Sequence, residues 1–313
     1  MLIAGPNLTT DRTVSIDELR PGEVLRFSTA TITPGGKGVN VARVARTLGF
    51  PSRLVATAPG RTGHAVVELL SDEGLDVVSV PTLGEVRAAT IILERSGRVT
   101  VLNEPGATLA DGDWEEYERA VEANLSGSGF LVCIGSVPPG SPYDGFARLV
   151  RIARSRSVRA LVDATGDQLA AALDEGADVV TPNVVEAEGV LVGAKSMPVD
   201  DTSPDVRQRA QDAAARLVNR GARMAVVTAG SVGIAVATGS ERRWIDAVGA
   251  DVRNPIGAGD SLVAGLVGAL ERGRKLDRAV RSGIAAATAS VETDVAGVVD
   301  AERFRAILTD LGG

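Results

Sequence analysis

Asn254-Pro-Ile-Gly-Ala-Gly-Asp-Ser-Leu-Val-Ala-Gly265 is a glycine-rich turn followed by an apolar run of helical character. The small residues Gly257, Ala258 and Gly259 allow several backbone amides to point the same way, and the following helix adds free N–H groups and its positive dipole end. Such a turn is suited to binding a phosphate. Asp260 stands beside it, where a carboxylate is suited to deprotonating a hydroxyl next to a phosphoryl group. The segment therefore suggests phosphoryl transfer to an alcohol.

This turn has other interpretations. It could be an ordinary tight turn in which Asp260 only interacts with the helix dipole. A dinucleotide-binding fingerprint requires glycine or alanine at the sixth position of Gly-x-Gly-x-x-Gly, where this chain has Leu262. The sequence has no Gly-x-x-x-x-Gly-Lys-Ser/Thr, so P-loop proteins are excluded.

The composition favours an α/β protein. The chain has 313 residues, of which 44% are apolar and only 3% are aromatic. Alanine, valine and glycine dominate, which favours close packing of helices on a sheet over a β-sandwich or an aromatic-lined binding module. A chain of this length can hold one large or two ordinary domains, and no low-complexity tract, charge block or repeat marks a linker. We predict one domain that covers residues 1–313.

Charge and residue usage exclude several classes of function. The formal net charge of −7 argues against nucleic-acid binding over an extended surface, which needs a basic face. The apolar runs are too short for a membrane span and the N-terminus does not resemble a signal peptide, so we expect a cytoplasmic protein without a membrane partner. The single cysteine, Cys133, excludes an internal disulfide, and the single histidine, His64, excludes a histidine-based metal cluster.

Strand-like and helix-like runs alternate along most of the chain. Strands are predicted at 52–57, 130–134, 159–163, 178–181 and 224–228, and helices at 41–48, 62–73, 142–154, 168–173, 184–191 and 205–219, with three helical segments from residue 259 onward. Short apolar strands separated by helices indicate right-handed crossovers. The fold class predicted is therefore α/β, with a doubly wound, mainly parallel sheet flanked by helices.

Two stretches, at about 11–33 and 85–103, break this alternation. Residues 26–32 and 86–93 alternate or are β-branched, and Ser96-Gly97 predicts a hairpin turn into a strand at 98–102. We predict that the two insertions form a small second sheet that projects from the core as a lid. The alternative is that their strands extend one edge of the main sheet.

Pro34-Gly-Gly-Lys-Gly-Val-Asn40 is a second glycine-rich turn, and it precedes an amphipathic helix. The glycines let a ligand approach the backbone, Lys37 offers charge, and Asn40 offers both a donor and an acceptor. Alone, the segment could equally be a turn with a solvated lysine. Together with the turn at 257–260, it predicts an acceptor-binding site beside a phosphoryl-transfer site.

The pair Gly35-Gly-Lys-Gly-Val-Asn40 and Gly257-Ala-Gly-Asp260 resembles the ribokinase-like (PfkB) carbohydrate kinase family, and the similarity covers essentially the whole chain. Asn103-Glu-Pro-Gly106, Gly135-Ser-Val-Pro-Pro-Gly140 and Asp163-Ala-Thr-Gly166 look like the phosphofructokinase and tagatose-6-phosphate kinase branch. The resemblance implies a doubly wound α/β core, a β-sheet lid, and transfer of a phosphoryl group from ATP, with Mg²⁺, to a sugar hydroxyl.

The resemblance also implies roles for individual residues. Asp260 matches the catalytic base, and Gly257, Ala258 and Gly259 match the anion hole. The positions that match substrate-binding residues are Asp11, Gly35, Gly36, Lys37, Asn40 and Arg87, the last of which would bind a phosphate already on the substrate. The positions that match the nucleotide side are Asn183, Glu186, Thr228, Gly230 and Gly233.

Two of these positions are implied to act together on metal, and a second ion is implied nearby. Asn183 and Glu186 look like the family's Asn-x-x-Glu element, which helps organise Mg²⁺ and phosphates. The backbone carbonyls of Asn254 and Ile256 match positions that hold a monovalent cation, such as K⁺, in some members. Structural alternatives stay open, because Asn183 could merely cap a helix and Arg87 could simply face water.

The lid departs from the family pattern at the substrate phosphate. Many relatives that use a sugar phosphate carry an asparagine two residues after the arginine of the lid strand, where this chain has Ala89. A polar or basic residue often stands near Val101, and valine cannot bind phosphate. Arg87 is thus the main visible anchor, with Arg26 as a candidate helper.

These features predict an ATP-dependent sugar-phosphate kinase. The first candidate substrate is fructose 1-phosphate, which would give fructose 1,6-bisphosphate, and tagatose 6-phosphate and fructose 6-phosphate are close competitors. The alternatives are a kinase of an unphosphorylated sugar or nucleoside, and a catalytically silent sugar-phosphate sensor. The lid sheet often pairs in dimers of this family, so a homodimer through the lid is a further expectation.

Overall fold

A computed structural model describes residues 1–192 and 203–312 of the chain. In these residues the strands are β1 (Leu2–Asn7), β2 (Thr9–Ile16), β3 (Ala30–Gly35), β4 (Arg53–Pro59), β5 (Val77–Thr82), β6 (Arg87–Glu94), β7 (Val99–Asn103), β8 (Phe130–Ile134), β9 (Arg159–Asp163), β10 (Val179–Val180), β11 (Met224–Thr228), β12 (Gly233–Thr238) and β13 (Arg242–Asp246). The helices are α1 (Lys37–Thr47), α2 (Gly60–Asp72), α3 (Asp113–Asn124), α4 (Gly145–Ser155), α5 (Gly166–Glu175), α6 (Val184–Val192), α7 (Val206–Asn219), α8 (Ala258–Glu271), α9 (Leu276–Val291) and α10 (Ala301–Asp310).

The larger sheet has the strand order β13-β12-β11-β10-β9-β8-β1-β4-β5. Pairing is parallel from β5 to β11, and β12 and β13 continue the sheet antiparallel. The chain leaves β1 first toward β4 and β5 and later returns on its other side with β8. The gap between β1 and β8 is therefore a topological switch point, where α/β sheets bind ligands at the carboxyl ends of their strands.

Helices cover both faces of this sheet, so each strand feeds two apolar cores. Along β8, Phe130, Val132 and Ile134 belong to the core beneath α1, α2, α8, α9 and α10, while Leu131 and Cys133 belong to the core beneath α3 to α7. This period of two in a strand that is apolar throughout is expected for a parallel sheet buried on both sides. The predicted doubly wound α/β class is confirmed.

The lid is a separate four-stranded sheet with the order β3-β2-β6-β7. The antiparallel pairs β2–β3 and β6–β7 come from the two insertions and are joined by a parallel pairing of β2 with β6. The predicted lid is thus confirmed, and the alternative of an extended edge of the main sheet is wrong. The strand predicted at 26–32 begins only at Ala30, which pairs with Val14 of β2. Strand β2 ends two residues later, at Ile16, so residues 26–29 have almost no strand to pair with.

Helix α8 packs closely on α9 through glycine. A β-carbon added at Gly265 would lie 2.4 Å from the carbonyl oxygen of Ser282, and one at Gly283 would lie 2.9 Å from the carbonyl oxygen of Leu262. Backbone oxygens cannot move aside as a flexible side chain can, so these glycines set the distance between the two helices. All ten residues from Asp260 to Ala269 are buried, which holds the start of α8 firmly in the core.

None of the helices within residues 1–192 and 203–312 has both the length and the apolar composition that crossing a bilayer requires.

Gly265→Ala should lower the free energy of unfolding by about 1–3 kcal/mol, because the added methyl group overpacks the α8–α9 contact. Urea denaturation followed by circular dichroism measures the change. Gly239→Ala is the control, since a β-carbon at Gly239 meets no atom within 4 Å. Equal stabilities for the Gly265 variant and the wild type would show that the helices can separate freely.

Candidate active site

A cleft of about 490 Å³ lies between the lid and the carboxyl ends of the main-sheet strands. Asn7 at the end of β1, Asp163 at the end of β9 and Thr228 at the end of β11 line it, together with the start of α8. The cleft therefore occupies the switch point of the sheet. The two glycine-rich turns, more than two hundred residues apart in sequence, meet in it.

Asp260 is the buried carboxylate of this cleft. Gly257 adopts a left-handed conformation with φ of 84° at the N-cap of α8, so Asp260 falls in the first helical turn. The residue is only 4% exposed, and its Oδ2 accepts a hydrogen bond of 2.8 Å from Asn40 Nδ2. The pKa of Asp260 is raised to about 6, chiefly by burial and also by the nearby carboxylates of Asp163 and Glu186, whereas Lys37 and Asn40 oppose the shift. A carboxylate with such a pKa can accept a proton near neutral pH.

Lys37, the first residue of α1, is held by a carboxylate from the main sheet. Its Nζ donates to Asp163 Oδ1 at 2.8 Å, and Asp163 Oδ2 accepts a hydrogen bond of 3.0 Å from Thr181 Oγ1. The pKa of Lys37 is raised, first by Asp163 and then by Asp260 and Glu186, against the effect of burial. The lysine side chain is 42% exposed toward the cleft, so it stays charged where an anionic ligand can reach it.

Asp11 and Arg87 approach the cleft from the lid. A β-carbon at Gly35 would lie 2.2 Å from an oxygen of Asp11, so the glycine makes room for that carboxylate. Burial raises the pKa of Asp11, and Arg87 and Arg43 partly oppose the shift. Arg87 donates weakly to the backbone carbonyls of Glu104 and Asn7, at 3.4 and 3.5 Å. Its Nε is buried and has no partner among the described residues, so part of its hydrogen-bonding capacity remains open.

Asn183 and Glu186 form reciprocal hydrogen bonds at the start of α6. Asn183 Oδ1 accepts from the Glu186 amide at 2.9 Å, and Glu186 Oε2 accepts from the Asn183 amide at 3.0 Å. This is the geometry of a capping box. Both residues also line the cleft, and burial raises the pKa of Glu186. The pair therefore both stabilises the helix start and presents a carboxylate to the cleft.

Some residues predicted for the site lie behind the cleft rather than in its wall. Gly35 accommodates Asp11, and Gly233 begins β12, where a β-carbon would lie 2.5 Å from the carbonyl oxygen of Ile245. Gly230 lies in the tight turn between β11 and β12. Asn254 is 3% exposed and uses its side chain to bind the backbone, donating to Asp294 O and accepting from the Ile256 amide. Close packing and turn geometry therefore explain why glycine stands at these positions, without a bound ligand.

The remaining predicted residues all line the cleft. They are Asp11, Gly36, Lys37, Asn40, Arg87, Asn183, Glu186, Thr228, Ile256, Gly257, Ala258, Gly259 and Asp260. Ala89 and Val101 line its lid side, whereas Arg26 is not among the lining residues.

Sequence reasoning assigned no site role to Asp163, which contacts Lys37 directly, or to Asn7 and Ser136, which are hydrogen-bonded to each other at 3.0 Å in the cleft wall. A usable signal was present for Asp163. It is a polar residue at the carboxyl end of a predicted parallel strand, where ligands of such sheets bind.

The described residues contain no group of three acidic, cysteine or histidine side chains that could hold a metal ion by themselves. Glu186 nevertheless presents a carboxylate to the cleft. A single carboxylate suits an ion that takes most of its ligands from phosphates and water, as Mg²⁺ does, rather than a metal enclosed by protein.

The fold, the buried carboxylate at a glycine-rich helix N-terminus and the lid together are typical of a phosphotransferase with an alcohol group as acceptor. The profile of the pfkB family of carbohydrate kinases matches residues 8–300, and the chain belongs to this family. ATP-dependent 6-phosphofructokinase isozyme 2 of Escherichia coli K12 is 33% identical over 92% of this chain and 91% of its own length. The 1-phosphofructokinase of Haloferax volcanii is 31% identical over 95% of this chain and 92% of its own.

Solved structures agree with this assignment. The crystal structure of phosphofructokinase-2 from Escherichia coli in complex with fructose-6-phosphate has a TM-score of 0.87 and 28% sequence identity, and the match covers 100% of this chain and 99% of that one. The family, the fold and the class of enzyme predicted from the two glycine-rich turns are therefore confirmed.

Proposed function

We propose that this kinase transfers the γ-phosphoryl group of ATP to the free primary hydroxyl of a fructose phosphate. The observation that carries the proposal is the placement of Asp260, a buried carboxylate with a pKa of about 6 beside the turn at 257–259, in the same cleft as the lid arginine Arg87. A base and an anion hole suit the transferring group, and Arg87 suits the phosphate that the sugar already carries.

In this proposal the lid closes over the sugar and excludes water, which would otherwise accept the phosphoryl group. Asp11, Gly36, Lys37 and Asn40 form the sugar side of the site, and Gly35 lies behind them and makes room for Asp11. Asp260 takes the proton of the attacking hydroxyl, while the amides at 257–260 and Lys37 balance charge on the transferring group. The loop that contains Thr228, Gly230 and Gly233, together with Asn183 and Glu186, forms the nucleotide side.

Mg²⁺ would accompany the phosphates of ATP, with Glu186 acting on it indirectly, and would neutralise charge on them. The carbonyls of Asn254 and Ile256 are proposed for a monovalent cation. One solved structure of the Escherichia coli phosphofructokinase-2 is described as a complex with potassium.

Both fructose monophosphates are acceptable substrates on chemical grounds. Fructose 1-phosphate has its free primary hydroxyl at C6 and fructose 6-phosphate has it at C1, so both give fructose 1,6-bisphosphate. Fructose 1-phosphate is the first candidate predicted from the sequence. The 33% identical relative is named a 6-phosphofructokinase, which supports fructose 6-phosphate as the substrate of this chain. A coupled ADP-release assay across fructose 1-phosphate, fructose 6-phosphate, tagatose 6-phosphate, fructose and ribose tests the proposal. Turnover confined to unphosphorylated sugars would contradict it, and no turnover would indicate a sensor.

We also propose that two copies pair through the outer face of the lid. Ile32, Arg12, Thr90 and Leu102 form one row across its four strands, on the face opposite the cleft. Ile32 and Leu102, on the two edge strands of the lid, are 62% and 60% exposed, and apolar side chains left exposed on one face of a sheet suit an interaction surface. Because both substrates are charged metabolites that do not cross membranes unaided, the enzyme is proposed to work in the cytoplasm.

Asp260→Asn should lower kcat by roughly 10²–10⁴-fold and leave substrate binding largely intact, because the amide cannot accept the hydroxyl proton. In the wild type, kcat/KM should fall as the pH drops through about 6, where Asp260 becomes protonated. Steady-state kinetics from pH 5 to 9 measure both effects. Near-normal turnover in the Asn variant would exclude Asp260 as the base.

Arg87→Ala should raise the KM for a fructose phosphate by roughly 10–100-fold, since a charge-assisted hydrogen bond to phosphate is lost. The KM for unphosphorylated fructose, measured in the same assay, should not change. Arg95→Ala is the matched control, because Arg95 is a lid arginine whose side chain is 84% exposed. An equal change for both sugars would mean that Arg87 does not bind the substrate phosphate.

Ile32→Lys should convert the proposed dimer into a monomer, because a charge would be buried against the apolar partner surface. Sedimentation velocity measures the oligomeric state. Leu69→Lys is the control, since Leu69 is an apolar residue of α2 that is 50% exposed and lies outside the lid. A wild-type monomer, or a dimer that persists in the Ile32 variant, would contradict pairing through this face.

A further inference from the structure

The side chain of Asn40 is enclosed between two parts of the chain that are distant in sequence. It lies in the first turn of α1 and is 5% exposed. Its Nδ2 donates to Asp260 Oδ2 at 2.8 Å, whereas its Oδ1 is buried and has no hydrogen-bond partner among the described residues. A buried acceptor without a partner costs stability, so its retention calls for an explanation.

Gly297, in the segment between α9 and α10, forms the opposite wall. A β-carbon at this glycine would lie 2.6 Å from Asn40 Oδ1 and 2.8 Å from Asn40 Cα. A β-carbon at Gly257 would lie 3.2 Å from the Gly297 amide nitrogen and 3.5 Å from Asn40 Nδ2. The amide of Asn40 is therefore packed between the anion-binding turn and the Gly297 backbone, and it has little room to rotate.

The orientation of this amide matters for the charge of Asp260. With Nδ2 directed at Asp260, the hydrogen bond favours the ionised carboxylate. The reverse orientation would direct Oδ1 at a carboxylate oxygen, which an ionised Asp260 would repel. The other oxygen of the carboxylate, Oδ1, has no hydrogen-bond donor among the described residues.

Other charged groups also act on Asp260. Lys37 from α1 favours its ionised form, whereas Asp163 at the end of β9 and Glu186 from α6 oppose it. Two carboxylates and burial therefore favour protonation of Asp260, against one lysine and one amide. The Asn40 hydrogen bond is the contribution that also fixes which carboxylate oxygen is occupied.

We infer that Asn40 is a positioning residue for the base and that Gly297 holds it in place. Asn40 would bind one oxygen of Asp260 and leave the other to take the proton of the substrate hydroxyl. This inference rests on the proposed function, and it assigns to Gly297 a role that no sequence motif indicated.

The test compares Asn40→Ala, Gly297→Ala and a control glycine of the same backbone conformation. Gly273 has φ of 71° against 72° for Gly297, and a β-carbon at Gly273 meets no atom within 4 Å. Gly273→Ala therefore introduces the same backbone strain at the far end of α8, without a contact to Asn40. Circular dichroism verifies that each variant is folded.

The first measurement is the pKa of Asp260, by ¹³C NMR of labelled aspartate carboxyl groups with Asp260→Asn for assignment. Loss of a hydrogen bond to the ionised form should raise this pKa by about one to two units in Asn40→Ala. Gly297→Ala should shift it in the same direction, and Gly273→Ala should not. An unchanged pKa in both test variants would overturn the inference, whether or not the wild type phosphorylates a fructose phosphate.

The second measurement is the pH dependence of kcat and KM for the best sugar substrate. The acidic limb of kcat/KM should move to higher pH by the same amount in Asn40→Ala, with activity partly recovered near pH 9 and the main loss in kcat. A loss independent of pH, or a higher sugar KM with an unmoved limb, would mean that Asn40 binds the sugar or is only structural. Absence of turnover in the wild type would contradict the proposed function alone.

Discussion

Lys37 lies in the cleft beside the carboxylates of Asp163, Asp260 and Glu186, and the electrostatics of the site depend on this charge balance. The lysine is paired directly with Asp163, and its charge also acts on Asp260 and Glu186. Without a cation, these three buried or half-buried groups would repel one another. With the lysine present, Asp260 has a pKa of about 6, so its carboxylate is mostly ionised at neutral pH and can accept a proton.

Small residues make the close approach of these groups possible. Gly35 leaves space for Asp11, Gly257 turns the chain into α8, and Gly265 lets that helix lie against α9. The low aromatic content of 3% is consistent with this design, because large side chains would keep the helices apart. Asp260 is thereby fixed to a buried helix, while Asp11 and Arg87 approach the cleft from the four-stranded lid sheet.

Much of the fold and part of the site could be predicted from the sequence, for identifiable reasons. Strands such as 130–134 are short apolar runs between helical segments. The two glycine-rich turns can be identified because each combines several glycines with a polar or charged residue. Strand β1 and the hairpin of β12 and β13 were not predicted. Strand β1 ends in Gly-Pro-Asn, residues that are typical of turns, and the hairpin depends on its pairing with β11.

The parts of the site that escaped prediction depend on tertiary contacts. Asp163 acts through Lys37, which is 126 residues away, and the contact between Asn40 and Gly297 joins the first helix to a segment near the C-terminus. No local pattern encodes such pairs. Conversely, Gly233 and Asn254 match sequence motifs, yet their contacts in the structure have a local explanation in hairpin packing and backbone hydrogen bonds.

The parallel pairing of β2 with β6 has a consequence for how the protein acquires its shape. Thr9 pairs with Arg87, and the chain between them builds β3, α1, β4, α2 and β5 before it returns. Closing so long a loop is entropically costly unless the intervening segments have already folded. We therefore expect the lid to form late, after the neighbouring part of the main sheet. A nascent or partly refolded chain would then have a formed hydrophobic core before the lid covers the cleft.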